Sequence, residues 1–157
     1  MAHEDHIAKL GKYGIIASMQ PNFVPNWQLK GGMYERRLGW ERAKNMNRFR
    51  SIMDRTVLAF GSDNMPLGPL YGIYGAMIHP SEEERLSFSS AVYAYTYGSA
   101  FSIFREDYLG LLESEYEASF VVLNIHPQGI TPKKVNKAKI EIFVKRGKNV
   151  LGRISSI

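Results

Sequence analysis

The chain has 157 residues, enough for one ordinary domain with a sizeable core. Its 45% hydrophobic and 12% aromatic content exclude a disordered polymer, and no apolar run approaches the ~18 residues a bilayer span needs. The lack of cysteine excludes disulfides and thiolate metal sites, and the formal charge of +5 is unevenly spread.

His3 to Lys12 carries Ile7 and Leu10 on one helical face, with Gly11 after them, and reads as the end of a short helix. The acids in Met-Ala-His-Glu-Asp-His stand where a secretory signal would be basic, so a cytoplasmic location is expected. Gly14 to Met19 is almost entirely apolar and predicts a strand covered on both faces, as in a parallel sheet. Gln20 to Gly32, with two prolines, two asparagines and a glycine pair, reads as a loop long enough to be functional. Within it Phe23 and Trp27 are lid or anchor residues.

Met33 to Asp54 predicts one long helix, with Ala43, Met46, Phe49 and Met53 at helical spacing and arginines over much of the remaining surface. Thr56 to Phe60 is the next strand. Strand, helix and strand make a βαβ unit, which implies parallel pairing. That second strand ends in Gly61-Ser62-Asp63 and then Asn64-Met65-Pro66, delivering a carboxylate to its C-terminal tip. Catalytic residues sit at such tips in a (β/α)₈ barrel, but Ser-Asp after a strand is also an ordinary turn or helix cap.

Leu70, Ile73, Tyr74, Met77 and Ile78 line one side of a short helix closed by Pro80-Ser81, with Ser81 expected to cap Glu82-Glu83-Glu84. The glycines at 68, 72 and 75 lack phosphate-binding spacing and read as packing sites. Ser87 caps a further helix predicted to run to about Phe104, with Val92, Tyr95 and Ile103 inward and Gly98 at a close approach. The pattern then turns to β. Phe120 to Asn124 is a strand, and the alternating Ile140, Ile142 and Val144 pair back through Arg146-Gly147-Lys148 onto Val150 to Ile154 as a hairpin. Lys133 to Arg153 holds eight Lys or Arg and one acid, Glu141. Such a segment can bind nucleic acid, but with no interleaved aromatic beyond Phe143 it reads instead as a solvated face whose lysines guard an edge.

The stretches GIIASMQP, RLGWERA, LAFGSD, PLYGIY, AYTYGSA, GLLE and ASFVVL, in this order and spacing, resemble the C-terminal part of the amidohydrolase superfamily. The resemblance spans nearly the whole chain and is to the branch called amidohydrolase family 3, or YtcJ-like metal-dependent hydrolases. It implies an α/β fold in which GIIASMQP and VLAFGSD are strands seven and eight of a (β/α)₈ barrel over residues 1–108. Residues 109–157 would add strands to a small β-sandwich. It implies a hydrolase acting on non-peptide C–N bonds of small amides, using a divalent metal, zinc first among candidates. Asp63 would lie beside that metal as metal-contacting residue and general base, taking a proton from the attacking water and passing it to the leaving nitrogen. By the same analogy Gln20 and Asn64 face the substrate.

The family's metal ligands are a His-x-His pair on strand one, a lysine or glutamate bridge, and histidines on strands five and six. None can be assigned to His3, His6, His79 or His126. His3 and His6 read as exposed polar residues near the terminus, and His79 and His126, each before a proline, as surface or capping residues. Ser114-Glu115 and Ser119 depart from the family's usual Pro-Gly and aspartate.

The resemblance thus implies the last third of a larger enzyme, with Met1 an internal methionine, a misplaced start or the start of a truncated protein. Alone, the chain is expected to bind no metal. It would pair with the N-terminal portion of a barrel, or self-associate through open sheet edges. The alternative reading is an inactive remnant or an interaction subunit, with neither membrane nor nucleic acid as partner.

Overall fold

In the computed structural model, which describes residues 2–65, 68–126 and 128–152, the two apolar runs become a parallel pair. Strand β1 (Ala17–Met19) lies beside β2 (Leu58–Phe60) with Ala17 opposite Leu58 and Met19 opposite Phe60. The pairing continues one step further, where the Gly61 amide donates to the Met19 carbonyl at 3.0 Å. All three β2 residues are buried, as an apolar run without alternation requires. The first half of the expected strand stays outside, because Gly14 takes a left-handed φ of 62° and Ile15 is half exposed.

Helix α1 (Glu4–Lys12) precedes β1 and buries Ile7. The crossover to β2 is not the single helix predicted from periodicity. It is three short ones: α2 (Met33–Leu38), α3 (Trp40–Ala43) and α4 (Phe49–Met53). Gly39 at φ 77° and Asn47 at φ 53° break the run, since a left-handed residue cannot carry the helical hydrogen-bond ladder onward. The predicted loop Gln20 to Gly32 is also more ordered than expected, holding a π-helical turn over Val24–Gln28 with Val24 and Gln28 buried.

Beyond β2, α5 (Pro69–Met77) leads through a 3₁₀ turn at Glu82–Glu84 to α6 (Phe88–Tyr95) and α7 (Tyr97–Phe101). Ser87 caps α6 as predicted, its hydroxyl accepting from the Ser90 amide at 3.0 Å. The helix breaks at Thr96, so Ile103 is 61% exposed rather than inward. Gly98 packs α7 so closely on β2 that a Cβ there would overlap the Leu58 carbonyl oxygen.

The C-terminal segment forms an antiparallel sheet of β3 (Phe120–Leu123), β4 (Ile140–Lys145) and β5 (Lys148–Leu151), in that spatial order. The far end of the predicted hairpin, Arg153 and Ile154, lies outside the described residues, as do Pro66 and Pro127. Between β3 and β4, α8 (Pro132–Lys137) packs on α5 and buries Val135 in the main core. At the centre of that core the Phe49 and Phe60 rings meet edge to face at 5.1 Å, and Phe60 meets Tyr95 at 5.3 Å.

Candidate functional site

Because β1 and β2 end level, the segments after them leave from one rim. Gln20 follows Met19 directly, and Gly61-Ser62-Asp63 follows Phe60. Asp63 and Asn64 both take left-handed φ angles, 46° and 55°, and both are exposed. Asp and Asn tolerate this conformation better than other non-glycine residues, so the turn itself accounts for part of their presence. Gln20 is half-buried at the start of the other segment.

The same rim carries a depression of about 360 Å³ lined by Asn22, Asn26, Met65 and Tyr71. Asn22 and Asn26 come from the segment after β1, Met65 from the turn holding Asp63, and Tyr71 from α5. Asn22 is 1% exposed. The Tyr95 hydroxyl donates to Asn22 Oδ1 at 3.1 Å, Asn26 Nδ2 donates to the Asn22 carbonyl at 2.9 Å, and the Tyr71 hydroxyl donates to Asn26 Oδ1 at 3.0 Å. Burial pushes the Tyr95 phenol well above its ordinary range, so it stays a donor. Asn22, Asn26 and Tyr71 were not singled out in the sequence. The length of their loop was the one signal available, and its composition does not show which asparagine is buried.

Two polar knots hold the elements behind the rim. In the first, Gln28 and His79 are both fully buried. Gln28 Nε2 donates to the carbonyls of Ala43 at 3.1 Å and Met46 at 2.8 Å, while Oε1 accepts from Asn47 Nδ2 at 2.7 Å. The Ser81 amide donates to His79 Nδ1 at 3.1 Å, which makes Nε2 the protonated nitrogen and a donor to the Met46 carbonyl at 2.8 Å. Burial holds the imidazole below its ordinary pKa, so it is neutral. His79 is therefore an interior tie rather than the surface or capping residue predicted from its place before Pro80. Ser81 serves it through the backbone instead of capping the following turn.

In the second knot Glu84, 5% exposed, accepts from the Ser51 amide at 3.0 Å, from the Ser51 hydroxyl and from Arg48 Nε at 3.0 Å. Arg48 also meets Glu4 of α1. Burial alone would raise the Glu84 pKa, but the Ser51 and Arg48 hydrogen bonds outweigh it and hold the carboxyl below its ordinary value.

The remaining candidates lie elsewhere. His3, at the N-cap of α1, and His6, in its first turn, are exposed, and His6 Nδ1 accepts from the His3 amide at 3.3 Å. His126 is exposed and accepts from the Gln128 amide. Phe23 and Trp27 pack together with ring centres 4.6 Å apart, and Trp27 reaches Tyr34, which is the anchoring arrangement rather than a free lid. Lys133, Lys134 and Lys137 border a shallow groove with Thr131, and Lys134 Nζ is engaged by the Gly129 carbonyl. Among the described residues no three His, Asp or Glu side chains converge to hold a metal ion, and no helix is long and apolar enough to cross a membrane.

The sequence profile of the amidohydrolase family matches residues 1–151. The chain is 28% identical over 160 residues to YtcJ of Bacillus subtilis (strain 168), which carries an amidohydrolase name; the match covers 92% of this chain and 29% of that protein. It is 30% identical over 159 residues to Protein LONG AFTER FAR-RED 3 of Arabidopsis thaliana, covering 90% of this chain and 27% of that one. A metal-dependent hydrolase from Pyrococcus furiosus superposes with a TM-score of 0.65 at 29% identity, over 75% of this chain and 25% of its own. One from Pyrococcus horikoshii OT3 shares the fold at a TM-score of 0.71 and 24% identity, over 85% of this chain and 29% of its own. The chain thus spans less than a third of the length of these relatives. With its α/β architecture and a profile match over nearly its full length, the chain belongs to the amidohydrolase family.

Proposed function

We propose that this chain supplies the rim of an amidohydrolase active site, with Asp63 as general base in hydrolysis of non-peptide C–N bonds of small amides. β1 and β2 would then be the seventh and eighth barrel strands of a 1–108 unit, and 109–157 part of a β-sandwich, in a cytoplasmic enzyme. The observation that carries the reading is positional: Asp63 leaves β2 on the rim that Gln20 leaves from β1, and Met65 of its turn lines the rim depression. In this role the exposed Asp63 carboxylate accepts a proton from the attacking water and returns it to the leaving nitrogen, while Gln20 and Asn64 orient the amide.

Family membership implies a divalent metal, zinc first, which when bound acidifies the attacking water. A single exposed carboxylate does not fit such an ion, which takes three protein ligands. The chemistry assigned to this chain is therefore confined to proton transfer at Asp63, and the ligands would come from a partner portion of the barrel or a second copy.

The test is amine release from a panel of N-acyl amides by the chain combined with the N-terminal portion of the barrel and zinc, with and without Asp63→Asn. A fall in kcat of about a hundredfold or more is expected from losing the base. Equal, measurable rates for the two forms would remove Asp63 from the mechanism. The lack of a converging metal-binding set among the described residues favours a second reading, in which the chain is an inactive remnant or interaction subunit. That reading predicts no amine release from either form.

A further inference from the structure

Asn22 lines the rim depression and is 1% exposed, yet among the described residues its Nδ2 is one of two buried side-chain polar atoms without a hydrogen-bond partner. A buried amide donor left unpaired is costly, and native structures seldom leave one without purpose. The neighbour favours this amide orientation: with Oδ1 toward Tyr95 the phenol donates its proton, whereas the reverse orientation would leave that proton without this acceptor. A Cβ on Gly72 would overlap that hydroxyl and stand 2.5 Å from Asn22 Oδ1, so Oδ1 is hemmed in by Gly72 and Tyr95, while Nδ2 bonds to neither. The residue is also held in place. Asn26 grips the Asn22 carbonyl, and Tyr71 in turn grips Asn26, so two of the other lining side chains lock the donor where it stands.

From this geometry we infer that Asn22 Nδ2 is the recognition donor of a ligand pocket on this rim, and that its acceptor is the carbonyl oxygen of an uncharged amide-type molecule. The lining chemistry sets that class. Asn22, Asn26, Met65 and Tyr71 are all neutral, so no cation is present to partner a carboxylate, and Asp63 two residues from Met65 disfavours an anion. Met65 and the Tyr71 ring give the apolar body of the ligand a surface to lie on. The inference deepens the proposed function by assigning its substrate carbonyl a donor, and it rests on that reading for the idea that the bound amide is a substrate.

The test needs no turnover. The ¹⁵N-labelled full chain is titrated with benzamide and, in parallel, with toluene, which has the same ring and no charge but no acceptor oxygen. The expected result is a saturable millimolar-range shift of the Asn22 side-chain amide pair with benzamide and none with toluene. Asn22→Asp keeps an oxygen for Tyr95 but removes the donor, and benzamide binding should weaken by about tenfold or more. Should that variant not fold, the two-ligand comparison on the unmodified chain decides alone. Equal shifts with both ligands, or no saturable shift at Asn22, would overturn the inference and mean that Nδ2 meets only ordered water. Because binding is read without hydrolysis, failure of the Asp63 test leaves this result standing, and loss of benzamide binding leaves the Asp63 test standing.

Discussion

Replacing Gln28 by leucine isolates what the first polar knot contributes to stability. The change keeps the volume close and removes three hydrogen bonds, to the carbonyls of Ala43 and Met46 and from Asn47. At about 1 kcal/mol net per bond the ceiling is ~3 kcal/mol. Three facts lower it. The Ala43 carbonyl still accepts from the Met46 amide, the Met46 carbonyl still accepts from His79, and half-buried Asn47 can turn to water. No carbonyl is stranded, so a loss of about 2 kcal/mol is expected, more than an ordinary surface change. With a urea dependence of about 2 kcal/mol per molar, the midpoint should fall by ~1 M at unchanged slope. Gln28→Glu sharpens the argument, because a carboxylate cannot donate to two carbonyls. Buried there, its pKa would be raised, so the deficit should be small near pH 4 and grow as pH rises above ~4.3, where the unfolded chain ionises. A leucine variant with the wild-type midpoint, or a glutamate variant whose deficit ignores pH, would refute the reasoning.

Gly98→Ala should cost about 1–3 kcal/mol, because the new methyl meets the Leu58 backbone rather than a side chain that can swing away; thermal unfolding monitored by circular dichroism measures it. For Glu84 the sign follows from its depressed pKa: its contribution is complete above an ordinary value near 4.5 and is lost as pH falls through the lower folded value. Urea midpoints measured between pH 3 and 7 should therefore drop more steeply on the acid side for the wild type than for Glu84→Gln, and matching slopes would count against the assignment. At neutral pH the same variant should be weaker by on the order of 2 kcal/mol, from the loss of charge-assisted bonds.

The strands were legible in the sequence because an uninterrupted apolar run has few other uses: Ala17–Met19 and Leu58–Phe60 fall inside the predicted segments and pair in parallel as a βαβ unit demands. The helix over 33–54 was not legible as three pieces. Apolar spacing reports which face is buried, and it stays nearly in phase across a left-handed break such as Asn47. His79 was misplaced for a related reason. A residue before proline reads as a chain end, and nothing local announces that Gln28, distant in sequence, will fold over it. The places of Asp63 and Gln20 just after β2 and β1 were visible because strand tips can be located from sequence. Asn22 was not, since burial of a loop asparagine depends on Tyr95 and Gly72, which arrive from other helices.

The level ends of β1 and β2 bear on how such a protein can change over generations. The rim is set by the register of Met19 on Phe60 and not by the length or course of the chain between them. Insertions at the Gly39 break, which is exposed and already turns the backbone aside, could accumulate without moving Gln20 relative to Gly61. Changes at Gln28 or Asn47 could not, because those residues tie the crossover to the body of the fold. Tolerance to drift should therefore be patchy within a single connection, loose around Gly39 and tight at Gln28 and Asn47.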